Sequence, residues 1–64
     1  MIQDRDAYFK ANQLVSQFGS KAMEHALIQF GRVLDRNDAK AGYTWSKIII
    51  AINNINKNNP RKLH

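Results

Sequence analysis

The chain has 64 residues, a formal net charge of +5 and no cysteine. This length allows one domain, and the lack of cysteine excludes disulfides and thiolate metal sites. Two histidines, His25 and His64, are too few for a closed zinc site. A chain this short buries only about 60% of its unfolded surface, so additional stabilisation by a partner surface is expected.

The first predicted helix runs from about residue 4 to residue 18. Its apolar positions recur at steps of three and four residues, at Ala7, Tyr8, Ala11, Leu14, Val15 and Phe18. Phe9 points almost directly away from this stripe. Gly19 is expected to end the helix, because glycine adopts the left-handed conformation without strain. Ser20 follows as the predicted N-cap of the next helix.

The second predicted helix covers about residues 21–36. Its apolar face consists of Ala22, Met23, Ala26, Leu27, Phe30, Val33 and Leu34. Ile28 and Gly31 lie off this face. Glycine costs roughly 1 kcal/mol relative to alanine inside a helix, so Gly31 either lets another backbone approach closely or is simply tolerated.

The third predicted helix, about residues 39–57, has the longest apolar-periodic run and the only tryptophan. Asp38 is its predicted N-cap, and Pro60 prevents its continuation. One face is predicted to be buried, with Ala41, Trp45, Ile48, Ile49, Ile52 and Ile55 at helical spacing. Tyr43, Lys47, Ile50 and Asn54 follow the same spacing on the opposite face.

These elements predict an all-α fold, a small three-helix bundle or trihelical cluster, because the connections are short. Trp45 is expected to be buried against Leu14, Phe18, Phe30 and Leu34. Trp45→Ala is then expected to cost about 3–5 kcal/mol. The single domain is predicted to span residues 1–59, before a basic tail over 60–64. The residues Lys62-Leu63-His64 also match the start of a vector-encoded linker.

A set of residues between about Ala11 and Ile55 resembles a family of short, uncharacterised bacterial helical proteins. The resemblance is carried by Leu14-Val15, Phe18-Gly19, Ala22, His25-Ala26, Arg32, Asp38-Ala39, Gly42, Trp45, Ile48, Ala51-Ile52 and Ile55. The family's third helix follows the pattern G-D-x-x-G-x-x-x-W-x-x-I-x-x-A-I, in which Asn37 here stands in place of the first glycine. The resemblance implies a helical fold of packed core residues, and it implies no activity.

Neither catalysis nor a bound cofactor is predicted. His25 and Glu24 are adjacent on one helix and point about 100° apart, so they do not form a dyad. The three glycines are isolated, and no phosphate-binding glycine motif is present. We therefore assign no catalytic, cofactor or metal residue and expect no small-molecule substrate. The longest apolar run, residues 48–52, is too short to span a membrane, and a cytoplasmic protein is expected.

Protein–protein contact is the favoured function. Tyr43 and Ile50, with Lys47 between them and Asn54 on the same face, resemble the seam of a helix that packs on a second surface. Phe9 is a further candidate. The simplest partner is a second copy in a homodimer, with Asn54 fixing the register across the two-fold axis. A small bacterial or phage regulator that blocks or bridges another macromolecule fits this pattern.

Nucleic-acid binding is the alternative. Residues 36–64 contain six basic residues and one acidic residue, Asp38, so this segment carries the whole net charge of +5. The second and third helices also match the outline of a helix-turn-helix. The predicted contacts are Lys40, Tyr43, Lys47, Lys57, Arg61 and Lys62. Against this reading, the outward face has no arginine and Ile50 lies at its centre, whereas base-reading helices commonly use Arg, Asn or Gln.

Overall fold

The computed structural model describes residues 4–57, and this part of the chain is all-helical. It contains α1 (Asp4–Phe18), a 3-10 turn (Gly19–Lys21), α2 (Ala22–Asp35) and α3 (Ala39–Lys57). Only residues 36–38 of the described range are not helical, and there is no strand within it. The predicted all-α class is confirmed. The predicted domain end at residue 59 and the tail over 60–64 lie outside the described residues.

The connection between α1 and α2 is a bend within a nearly continuous helical segment. Gly19 has φ +57°, the left-handed conformation that the sequence predicted for it. The predicted capping by Ser20 is wrong, because Ser20 lies inside the 3-10 turn and Lys21 precedes α2 without a side-chain cap. The Ala22 N–H donates to the Gly19 carbonyl instead. The turn thus supplies the backbone acceptor that a capping side chain would otherwise provide.

The connection between α2 and α3 is a tight three-residue turn. Asn37 has φ 60°, its N–H donates to the Leu34 carbonyl at 2.9 Å, and the Asp38 N–H donates to the Val33 carbonyl at 3.0 Å. This pair of bonds is the Schellman ending, in which asparagine can replace glycine. Asp38 then caps α3 as predicted, since its Oδ1 accepts from the Ala41 N–H at 3.1 Å.

The core lies where α3 packs against both α1 and α2. Its buried apolar side chains are Ala7, Ala11, Leu14, Ala22, Ala26, Val33, Ile48, Ala51 and Ile52. Five of these nine are alanines, so the helices approach closely and leave little interior volume. Ile52 is the largest fully buried side chain between residues 5 and 57. None of the helices within residues 4–57 is both long and apolar enough to cross a membrane.

The predicted surroundings of Trp45 are wrong in part. Trp45 is only partly buried and packs against a core cluster that includes Leu14. Phe18 and Leu34, however, are 41% and 50% exposed. Tyr8 and Leu27 also lie on predicted core stripes and are exposed. Because alanines fill the closest approach between the helices, larger side chains at the edges of each stripe remain outside.

Candidate interaction surface on α3

The outer face of α3 carries two large exposed apolar side chains. Tyr43 is 49% exposed and Ile50 is 59% exposed, as the sequence predicted. They lie seven residues apart, or about two helical turns, and so share one face. Ile48 and Ile52, on the opposite face, are buried. We call Tyr43 and Ile50 the α3 stripe.

Lys47 lies between the two residues of the α3 stripe. It is partly buried, and its Nζ lies 5.6 Å from the centroid of the Tyr43 ring. At this distance the ammonium is attracted to the electron-rich face of the ring. The aliphatic part of a lysine can cover apolar surface while its charge reaches solvent. Lys47 is therefore compatible with burial of the stripe beneath a partner.

An open groove of about 310 Å³ runs beside the α3 stripe, lined by Tyr8, Lys47, Ile50, Ala51 and Asn54. The Asn54 Nδ2 donates to the Tyr8 hydroxyl at 2.9 Å. This bond occupies one donor of the Asn54 amide within the chain, and the role of Asn54 in fixing the register of a dimer stays a prediction. Tyr8 was assigned to the core from its spacing. Its hydroxyl was the available signal, since a tyrosine commonly places its ring on apolar surface and its hydroxyl on a polar partner.

Within the described part of the chain, Phe9 is the most exposed large apolar side chain, at 66%. It lies on α1 and does not line the groove beside the α3 stripe. The structure therefore supports its predicted exposure, but it does not join Phe9 to Tyr43 and Ile50.

A second apolar surface, which the sequence interpretation missed, lies on α2. Leu27 and Leu34 are 51% and 50% exposed. The placement of Gly31 off this face was wrong, because Gly31 lies between the two leucines along α2 and within about 60° of each around the helix. The Leu34 Cδ2 lies 3.2 Å from the position that a Cβ would take at Gly42. A Cβ at Gly31 would have no such neighbour within 4 Å. We call these three residues, Leu27, Gly31 and Leu34, the α2 stripe.

Another side of α2 faces the bend. The rings of Phe18 and His25 stack with centroids 4.5 Å apart and an interplanar angle of 18°. A shallow groove there is lined by Phe18, Lys21, Glu24, His25 and Ile28. His25 thus packs against an aromatic ring. Ile28, 49% exposed, belongs to this groove and lies about 100° around the helix from Leu27.

The predicted nucleic-acid contacts fall only partly within the described residues. Lys40 and Lys57 are exposed on α3, and Lys47 is partly buried. Arg61 and Lys62 lie outside the described residues. Among residues 4–57, no group of three or more metal-ligating side chains is placed to hold a metal ion.

Comparison of the chain with protein-family models, curated proteins and solved structures finds no match. The resemblance to short bacterial helical proteins therefore stays a prediction, and the surfaces described above carry the functional argument.

Proposed function

We propose that this chain is a non-catalytic interaction protein that self-associates through the outer face of α3. The observation that carries the proposal is the distribution of its apolar side chains. Among the residues that the structure describes, eight large hydrophobic side chains are between 38% and 66% exposed, while most of the buried core residues are alanines. A small domain has little stability in reserve, so covering such residues contributes strongly to the folded state.

The α3 stripe is the favoured contact because it is ordered along one rigid helix. Tyr43 and Ile50 repeat after two turns, and the groove next to Ile50 offers a concave surface beside them. Tyrosine is enriched at protein interfaces because it combines a large apolar ring with a hydroxyl group. We take the predicted three-helix bundle as the associating unit and a two-fold homodimer as its simplest assembly. A bacterial or phage regulator acting by contact is the wider form of this proposal.

Size-exclusion chromatography coupled to light scattering tests the proposal. We expect the mass to rise with concentration from that of one chain, 7.4 kDa, to twice that value. A mass that stays at one chain up to about 1 mM, the weak end of specific association, would refute self-association.

Nucleic-acid binding is the second candidate. The observation in its favour is that α3 carries Lys40, Lys47 and Lys57 and no acidic residue. The exposed apolar pair at the centre of the same face favours protein contact instead. Titration of random duplex DNA separates the two, because phosphate contacts weaken steeply with salt. Absence of binding at low salt would remove this candidate.

A further inference from the structure

We propose that the α3 stripe of one copy pairs with the α2 stripe of a second copy, so that two α2–α3 hairpins form an antiparallel four-helix interface. The inference rests on the self-association proposed above and specifies which surface the partner copy presents. It is distinct from a dimer in which α3 contacts α3. Three features support it: the relative height of the stripes, the charges at their edges, and the space at Gly31.

The two stripes cover the same length of the hairpin when position is measured along the helix axes, which we call height. The short turn makes α2 and α3 antiparallel neighbours, and the contact of Leu34 with Gly42 places those two residues level. Each stripe then spans two turns, from Leu34 to Leu27 and from Tyr43 to Ile50. A two-fold axis parallel to the helices preserves height. It therefore sets Tyr43 beside Leu34 of the second copy and Ile50 beside its Leu27.

The edges of the stripes carry opposite charges. Glu24 and Asp35 lie about 60° to 80° around α2 from Leu27, and Lys40 and Lys47 lie about 40° to 60° around α3 from Tyr43. Leu34 contacts the Gly42 side of α3, about 100° from Tyr43 in the sense opposite to Lys40 and Lys47. These lysines therefore lie on the side of α3 away from α2, where Tyr8 of α1 lines the groove with Lys47. Glu24 and Asp35 likewise lie away from Ala26 and Val33, which are buried on α2. An axis parallel to the helices sets the acidic edge of one copy against the basic edge of the other. Asp35 is then within about one residue of Lys40 in height.

The alternative pairing of α3 with α3 is disfavoured by charge. α3 contains three lysines and no acidic residue. A two-fold axis perpendicular to the helices, which would pair α3 with α3, would therefore set lysines against lysines. Like charges brought together at an interface weaken association. Glu24 and Asp35, at the edge of the α2 stripe, are the only acidic residues of the hairpin besides Asp38, which caps α3.

Gly31 provides room at the centre of the α2 stripe. A Cβ there would meet no heavy atom within 4 Å in the monomer. Large side chains next to a small residue let facing helices interdigitate. Gly31 lies between the heights of Leu27 and Leu34, where the backbone of the partner's α3 would approach. The proposed pairing thus assigns a role to a glycine that otherwise only weakens α2.

Charge reversal, measured by sedimentation equilibrium on the full chain, tests the pairing. We expect Asp35→Lys and Lys40→Glu each to raise the dissociation constant about tenfold, since each reversal alters two contacts per dimer. The double variant should return to within about threefold of wild type. Neither change should harm the monomer, because a cation near the end of α2 and an anion near the start of α3 both suit the helix dipole.

The outcomes separate this pairing from self-association in general. If Asp35→Lys has no effect and Lys40→Glu tightens the dimer, α3 contacts α3; the pairing is then overturned while self-association through α3 stands. Weakening by both single variants without recovery in the double variant also overturns the direct pairing of these charges. A wild-type chain that stays monomeric overturns both proposals.

Discussion

Replacing Ile50 with aspartate is the sharpest perturbation of the proposed surface. Ile50 is 59% exposed in the monomer, so its replacement removes little from the fold. Exposed substitutions of this kind usually change stability by no more than about 0.5 kcal/mol. In the dimer, by contrast, the same side chain would be covered by the second copy. Ile50→Asp is therefore expected to separate association from folding.

The expected loss of affinity follows from the exposed fraction. Full burial of an isoleucine contributes about 1.5–3 kcal/mol, so covering the remaining 59% contributes about 0.9–1.8 kcal/mol per chain. A two-fold dimer covers it twice, which gives about 1.8–3.5 kcal/mol, or about 20- to 300-fold in the dissociation constant. Desolvating the new carboxylate weakens the dimer further. A loss of at least about 20-fold is the prediction.

Phe9→Asp is the matched control. It also replaces a large apolar side chain with aspartate, at a position that is 66% exposed on α1 and does not line the groove beside the α3 stripe. Sedimentation equilibrium gives the dissociation constants, and circular dichroism shows whether each variant keeps its helical content. Phe9→Asp is expected to dimerise within about threefold of wild type.

Two results would refute this reasoning. Equal dissociation constants for Ile50→Asp and wild type would show that the α3 stripe is not covered. Equal losses in Ile50→Asp and Phe9→Asp would show that added negative charge, and not burial at α3, controls association.

Four further substitutions test the fold, each by thermal and denaturant unfolding at concentrations where the chain is monomeric. Ile52→Ala should lower the free energy of unfolding by about 2–5 kcal/mol, because Ile52 is fully buried. Gly31→Ala should raise it by about 0.5–1 kcal/mol, since the added methyl group meets nothing in the monomer. Gly19→Ala should lower it by about 1–2 kcal/mol because φ is +57°. Asp38→Ala should lower it by about 1 kcal/mol through loss of the cap on α3.

Helical periodicity and capping predicted the elements of this fold well. The predicted ends of the three helices agree with the structure to within one residue, because Gly19 and Asp38 act through local backbone chemistry. Burial on α3 also followed the helical periodicity of the sequence, with Ile48 and Ile52 inside and Tyr43 and Ile50 outside. When one side of a helix is buried in the core, the positions on the opposite side face solvent, so one periodic pattern predicts both the buried and the exposed residues.

Tertiary packing was predicted less well. Helical periodicity assigned four exposed side chains to the interior, namely Leu27, Leu34, Phe18 and Tyr8. Periodicity identifies the apolar face of a helix but does not show how wide a strip of that face is buried. That width depends on how closely the helices approach, and the buried alanines make the approach close. The α2 stripe was missed for this reason. Ser20 was misassigned because a 3-10 turn supplies its own backbone acceptors.

A concentration series of two-dimensional ¹⁵N NMR spectra tests the central claim most directly, because it locates an association surface residue by residue without mutation. Between about 20 µM and about 1 mM, a range that covers weak specific dimers, we expect the amide signals of Tyr43, Lys47 and Ile50 to shift progressively. The signals around Phe9, on α1, should stay constant. Spectra that do not change with concentration, or changes confined to the region around Phe9, would contradict association through the outer face of α3.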